Sequence, residues 1–149
     1  MIRKVLFAIA ILLVVIQLFR PEKNTSSSVS PNAMDVHYAI PKEIGALLRT
    51  SCYDCHSNNT VYPWYSYIQP FAWWQKKHVI DGKKEINFDE FYSYDAKKRK
   101  HKLDEVVEMI QKNEMPLGSY TLIHRKAVLS PHDKEKLISW ARELQKTIY

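Results

Sequence analysis

Apolar positions along most of this chain recur three and four residues apart, and only the first twenty residues depart from that rhythm by being apolar on every side. From Val5 to Phe19 the run is broken by Gln17 alone, with Arg3 and Lys4 before it and Arg20 and Pro21 closing it. A soluble domain would have to bury such a segment all round, so it reads as one that is exported or inserted. Its length falls between a signal-peptide core and a full span, which needs ~18 or more apolar residues. No clear small-x-small cleavage site follows Phe19, and no cysteine there offers itself for lipid attachment. The preferred expectation is therefore an uncleaved hydrophobic helix over 1–20. It would be a transmembrane helix anchoring the chain, with the body outside the cytoplasm. Secretion after signal cleavage is the alternative.

Residues 21–35 include Thr25, a run of three serines, Ser30 and Pro31, and they read as a flexible, solvated linker that spans ~20 Å as a coil. The folded body is expected over 36–149. Pro41 suits the first turn of a helix over 42–50, whose apolar stripe of Ile44 and Leu48 leads onto Cys52. The Pro- and aromatic-rich stretch 58–70 reads as irregular. A helix over 71–79 is expected to end near Gly82 in the left-handed position. Phe88, Phe91, Tyr92 and Tyr94 form an aromatic cluster without a clear period. Leu103, Val106, Val107 and Ile110 predict a helix over 103–112. The last helix carries the fullest start signal: Ser130 as cap, Pro131 in first position and Asp133 three after the cap. Gly45 either lets that helix cross closely near Trp140 or Ala141, or is a tolerated glycine costing ~1 kcal/mol relative to alanine. With three glycines and no alternating apolar runs, hairpin-rich β structure is disfavoured. The prediction is an all-α domain of four or five short helices with long connections.

The formal charge of +6 invites a nucleic-acid reading, but Arg3, Lys4 and Arg20 belong to the apolar segment and its flanks. Without those three of the 22 basic residues, 19 face 16 acidic ones, and the body is close to balanced. No nucleic-acid partner is expected. The compact basic run from Lys97 to Lys102 reads as a solvated loop ahead of the 103–112 helix. Its functional alternative is a docking patch for an acidic redox partner, steering association.

The chemistry lies at Cys52-Tyr53-Asp54-Cys55-His56, the C-x-x-C-H sequence that attaches c-type haem. Two thiols three residues apart on a turn can each form a thioether with one vinyl group, and the adjacent histidine then supplies a nitrogen to the iron. A structural zinc site would want four ligands, yet there is no third cysteine. A thioredoxin-like pair needs a βαβ context, and a plain disulfide leaves His56 without a role. For the other face of the iron Met115 leads, because a thioether on a loop after a helix can reach back over the haem. His78 is its named rival. His101, His124, Met109 and Met34 stand behind them, with Met109 read as packing and His101 as solvated. Trp64, Trp73 and Trp74 either wall the porphyrin or serve as ordinary core.

With these residues in place, the chain resembles the bacterial haem-binding domain family that carries a single C-x-x-C-H. The resemblance runs from about Pro41 to Leu144. It takes in Cys52 to Asn58, Tyr62-Pro63-Trp64-Tyr65, Asn87-Phe88, Glu114-Met115-Pro116 with Tyr120, and Leu129-Ser130-Pro131. It implies a cytochrome c-like helical domain wrapped around one covalent haem c, in a membrane-tethered or periplasmic mono-haem module, and it strengthens Met115 as the sixth ligand. The stretch between His56 and Met115 is longer and more aromatic than in small soluble cytochromes c, so the wrapping is expected to differ from theirs. Two functions follow as expectations: electron transfer with a redox partner protein, or a peroxidase-like enzyme or gas or redox sensor with an open or labile distal site.

Overall fold

A computed structural model describes all 149 residues, Met1–Tyr149. Helices and short 3₁₀ turns make up its regular structure, and there is no strand, as the spacing predicts. The last helix, α8 (Pro131–Thr147), begins where its start signal lies. Ser130 Oγ accepts the Asp133 N–H at 3.1 Å, and the Asp133 carboxylate accepts the Ser130 N–H at 3.1 Å, closing a capping box around Pro131. Leu137, Ala141 and Leu144 then point inward. The helix packs along α6 (Ala96–Gln111) and against α3 (Lys42–Ser51). Between these three elements lies the core, in which Leu48, Phe88, Phe91, Leu103 and Leu137 are almost wholly buried.

Three expectations are corrected here. The basic run is not a loop: it forms the first two turns of α6, because Asp95 caps the helix by accepting the Lys98 N–H at 2.7 Å. Arg99 donates to the Tyr38 hydroxyl at 2.8 Å, and Lys102 is buried beside Glu105 at 2.6 Å. Gly82 does not end its helix either. α5 (Phe71–Glu85) runs through it, and no glycine in the chain has a positive φ. The left-handed residue is Asn113 (φ 59°), just past α6. Gly45 lies against the Arg49 guanidinium, 3.3 Å from where a Cβ would sit, so the close crossing of α8 is not its role.

The N-terminal segment is helical as α1 (Ile2–Val15), followed by a 3₁₀ turn at Ile16–Leu18, and none of it is buried. Fourteen residues rise only ~21 Å, against a hydrocarbon core of ~30 Å. No helix here is long and apolar enough to cross a membrane, so the expectation of a transmembrane helix is corrected. The helix stops short because Gln17 turns to the body, accepting the Gln69 N–H at 2.9 Å and donating to Gln69 O at 3.2 Å.

Residues 21–35, read as a free linker, are also held. Asn24 donates from Nδ2 to Ser57 O at 2.9 Å and accepts Lys83 Nζ at 2.7 Å. Ala33 and Met34 are fully buried where the short helix α2 (Met34–His37) begins. Asn24 is the side chain of this stretch that reaches the loop after His56, whereas the Ser26 and Ser30 side chains bond within the stretch itself. Replacing Ser130 with alanine is expected to cost about 1 kcal/mol, read as a lower denaturant midpoint at unchanged slope. An unmoved midpoint would show that the capping box contributes nothing.

Candidate functional site

Cys52 ends α3, its N–H bonded to Leu48 O at 2.8 Å, and its φ of −127° breaks the helix there. Its own carbonyl then accepts the N–H groups of Cys55 and His56 at 3.2 and 3.0 Å, winding the single turn α4 (Tyr53–His56). Both thiols are free, so the disulfide is not formed. The imidazole of His56 is fixed from α5: Nδ1 lies 2.8 Å from Gly82 O and 3.0 Å from Ile86 O. Carbonyls only accept, so Nδ1 carries the proton and Nε2 keeps its lone pair, the arrangement of a metal-binding histidine. Burial lowers the basicity of His56 against the pull of those two carbonyls, which favours the neutral ring. A Cβ at Gly82 would lie 2.8 Å from Cys55 O. The contact that brings α5 close enough to hold His56 therefore needs a glycine.

Beyond α6, Asn113 turns the chain so that the N–H groups of Glu114 and Met115 both reach Met109 O, at 3.0 and 3.3 Å. This carries Met115 to the rim of two adjoining clefts. The first, of about 630 Å³, is lined by Cys52, Cys55, His56, His78, Met115 and Tyr120 among others. The second, of about 990 Å³, is lined by Cys52, His56, Met115, Phe88, Lys102 and Met109 among others. Cys52, His56 and Met115 border both. Of the other sequence candidates, His78 reaches the first cleft and Met109 the second, whereas His101, His124 and Met34 reach neither. The three tryptophans do not wall the site: Trp64, Trp73 and Trp74 line neither cleft and are 75%, 40% and 39% exposed.

Residues 11–143 match the family described as the haem-binding domain. The protein belongs to that family. No curated protein and no solved structure matches the chain. Haem is thus the cofactor of this domain.

Other polar groups of this haem-binding domain frame the turn of Cys52–His56 without having stood out as chemistry in the sequence. Tyr120 donates to Asp54 Oδ2 at 2.8 Å and stacks on His124 at 4.1 Å between ring centroids. Burial, reinforced by that carboxylate, holds the Tyr120 phenol well above the ordinary range. Asn58 ties the chain after His56 to the Phe88 turn, donating to Asp89 and Glu90 and accepting from Asn87 at 2.7–2.9 Å. Tyr53 stacks on Phe88 with centroids 5.2 Å apart. Only their place in the family-like segments marked them, because each pairing joins positions far apart in the chain.

Two predictions follow from this geometry. Gly82→Ala should reduce haem incorporation severalfold, because the Cβ meets backbone at Cys55, while Gly45→Ala, facing only a flexible Arg49, leaves it unchanged. Equal incorporation in the two variants would remove the role assigned to the α5–α4 contact. The second concerns the thiols of the haem-free chain. Burial pushes Cys52 up to about 12 and Cys55 up to about 11, from an ordinary 9.0. A raised thiol pKa stabilises the fold fully below pH 9.0, and that contribution is lost as pH rises through the folded values. Near pH 8 the thiolate fraction of folded Cys55 falls about a hundredfold, so its alkylation, followed by mass spectrometry, should slow by that factor relative to the chain in urea. Matching rates would contradict the burial.

Proposed function

We propose that this haem-binding domain is a mono-haem cytochrome of the c type, working in the periplasm as an electron carrier. Cys52 and Cys55 hold the haem through thioethers, His56 ligates the iron through Nε2, and Met115 supplies the sixth ligand. The observation that carries this reading is the pair of hydrogen bonds to His56 Nδ1, which leaves Nε2 as the ligating nitrogen at clefts shared with Cys52 and Met115. Haem supplies one-electron chemistry, and His plus Met ligation raises its potential and leaves no open position for substrate. The exposed apolar α1 supports export and membrane association by insertion in one leaflet or at the interface. A redox protein is the expected partner, and Lys97, Lys98 and Lys100 are the cations of the basic run that remain exposed without a carboxylate partner.

A second reading has its own observation. His78 lines the first cleft together with Asp81 and Glu85, and such acid–base groups at the cleft favour a peroxidase-like or sensing reading. The His78 Nδ1–H is donated to Trp74 O at 2.8 Å, which leaves Nε2 of that ring available too.

The full chain, matured with cytochrome c assembly machinery, separates these readings. Its haem is expected to resist acid extraction, and to become extractable when both cysteines are replaced. The spectrum should be low-spin with a Met–iron absorption band that disappears in Met115→Ala and persists in His78→Ala. Ready binding of carbon monoxide by the reduced wild-type protein would instead establish the open site.

A further inference from the structure

At the foot of the apolar segment, away from the haem clefts, lies a notch of about 590 Å³ lined by Arg20, Lys23, Lys76, Tyr62, Tyr67 and Ser66, with Glu22 the single acid in its wall. Neither Arg20 nor Lys76 pairs with a carboxylate. Lys23 Nζ stands 4.2 Å over the Tyr67 ring and donates to the Tyr67 hydroxyl at 2.8 Å. Ser66 is 7% exposed, and its buried hydroxyl has no hydrogen-bond partner. A buried hydroxyl left unpaired is costly, and Ser66 shares the notch with three cations, so an anionic oxygen is the group that would suit both. Lys76 also lines an adjoining hollow with Lys83, so positive charge continues beyond the notch.

We infer that this notch binds the phosphate headgroup of an anionic phospholipid. The inference rests on the proposal that the apolar N-terminal segment lies in a membrane. What selects a lipid over a soluble phosphate is the surroundings. Arg20 directly follows Phe19, at the end of a helix with every residue from Ile2 to Val15 exposed. The Phe19 carbonyl accepts Gln69 Nε2 at 2.8 Å and Trp73 Nε1 at 3.0 Å, which fixes the end of the apolar segment to the notch side of the body. Trp73 and Trp74 remain two-fifths exposed and Trp64 three-quarters exposed, the residue type that settles at membrane–water interfaces. Along α5, Trp73 and Gly82 are nine residues apart and so fall on opposite faces at 3.6 residues per turn. One face of the helix meets Cys55 and the other the bilayer surface, which sets the attachment turn about one helix diameter, ~10 Å, from the headgroups.

The test uses the full-length, haem-loaded protein. Flotation with vesicles of phosphatidylcholine and phosphatidylglycerol establishes the membrane association. Titration in mild detergent with short-chain phosphatidylglycerol or phosphatidylcholine, read by native mass spectrometry, then measures the site. Phosphatidylglycerol should bind at least about tenfold tighter than phosphatidylcholine. Arg20→Gln and Lys76→Gln should each weaken phosphatidylglycerol about fivefold. Ser66→Ala should weaken it about tenfold with the haem spectrum and net charge unchanged. That variant only removes an unpaired hydroxyl, so folding is not at stake. Unchanged affinity in Ser66→Ala, or equal binding of the two lipids, overturns the site while leaving the tether standing. Displacement of the lipid by equimolar inorganic phosphate overturns the lipid assignment in favour of a soluble anion. Failure to float overturns the tether and this inference together, and leaves the haem reading untouched.

Discussion

The hydrogen bonds from His56 Nδ1 to the carbonyls of Gly82 and Ile86 are the constraint on which the rest of the site depends. They join the last turn of α5 to the one-turn helix that carries Cys55 and directly follows Cys52, and they decide which imidazole nitrogen keeps its lone pair. The distance they require is set by a steric fact: the helix passes so close to Cys55 that no side chain fits at residue 82. Backbone carbonyls near the end of a helix are natural acceptors, since they lack partners further along it. Gly82 O, however, also accepts the Ile86 N–H, so it is shared between helix and histidine. Tautomer, ring orientation and helix packing are thus one event.

The surrounding polar network serves the same turn from the other side. Asn24 and Asp89 satisfy backbone groups of Ser57 and Asn58, while Glu90 and Asn87 hold the Asn58 side chain, in the segment between the Cys52–His56 turn and the aromatic stretch. Thr60 Oγ1 donates to Asp54 O at 2.6 Å, and Asp54 in turn accepts from Tyr120. These groups pair with one another, so the turn is held by partners from three other segments of the chain. Met115 is positioned differently, by a left-handed Asn113 that reverses the chain at the end of α6. The two candidate ligands therefore rest on independent devices, one a helix contact and one a turn.

The sequence carried some of this plainly. C-x-x-C-H stands out because it is a contiguous motif, and the helix capped by Ser130 is legible because a capping box is a local pattern. Met115 was reachable through its place after a helix and through family resemblance. The grip on His56 was not, because it depends on the backbone of residues 26 and 30 positions away, and carbonyls leave no mark in a sequence. Gly82 was misread for a related reason. A glycine near a helix end suggests a left-handed cap, yet here the missing Cβ answers a neighbour from another element. The tryptophans act in the opposite sense: aromatic bulk signals burial in general, but Trp73 is exposed because the opposite face of α5 meets α4.

By itself, then, the sequence determined what is encoded within one turn of chain: the helical class, the capping box of the last helix, the C-x-x-C-H pentapeptide and the apolar N-terminal segment. Those features depend on residues at most a few positions apart, where propensity and side-chain spacing act directly. Only the tertiary structure decided which groups meet. It placed Cys52, His56 and Met115 at common clefts, turned the tryptophans outward, and gathered Arg20, Lys76 and the unpaired Ser66 hydroxyl into a notch. The physical reason is that carbonyl acceptors, steric clearances and orphaned hydroxyls acquire meaning only when distant segments are packed against one another.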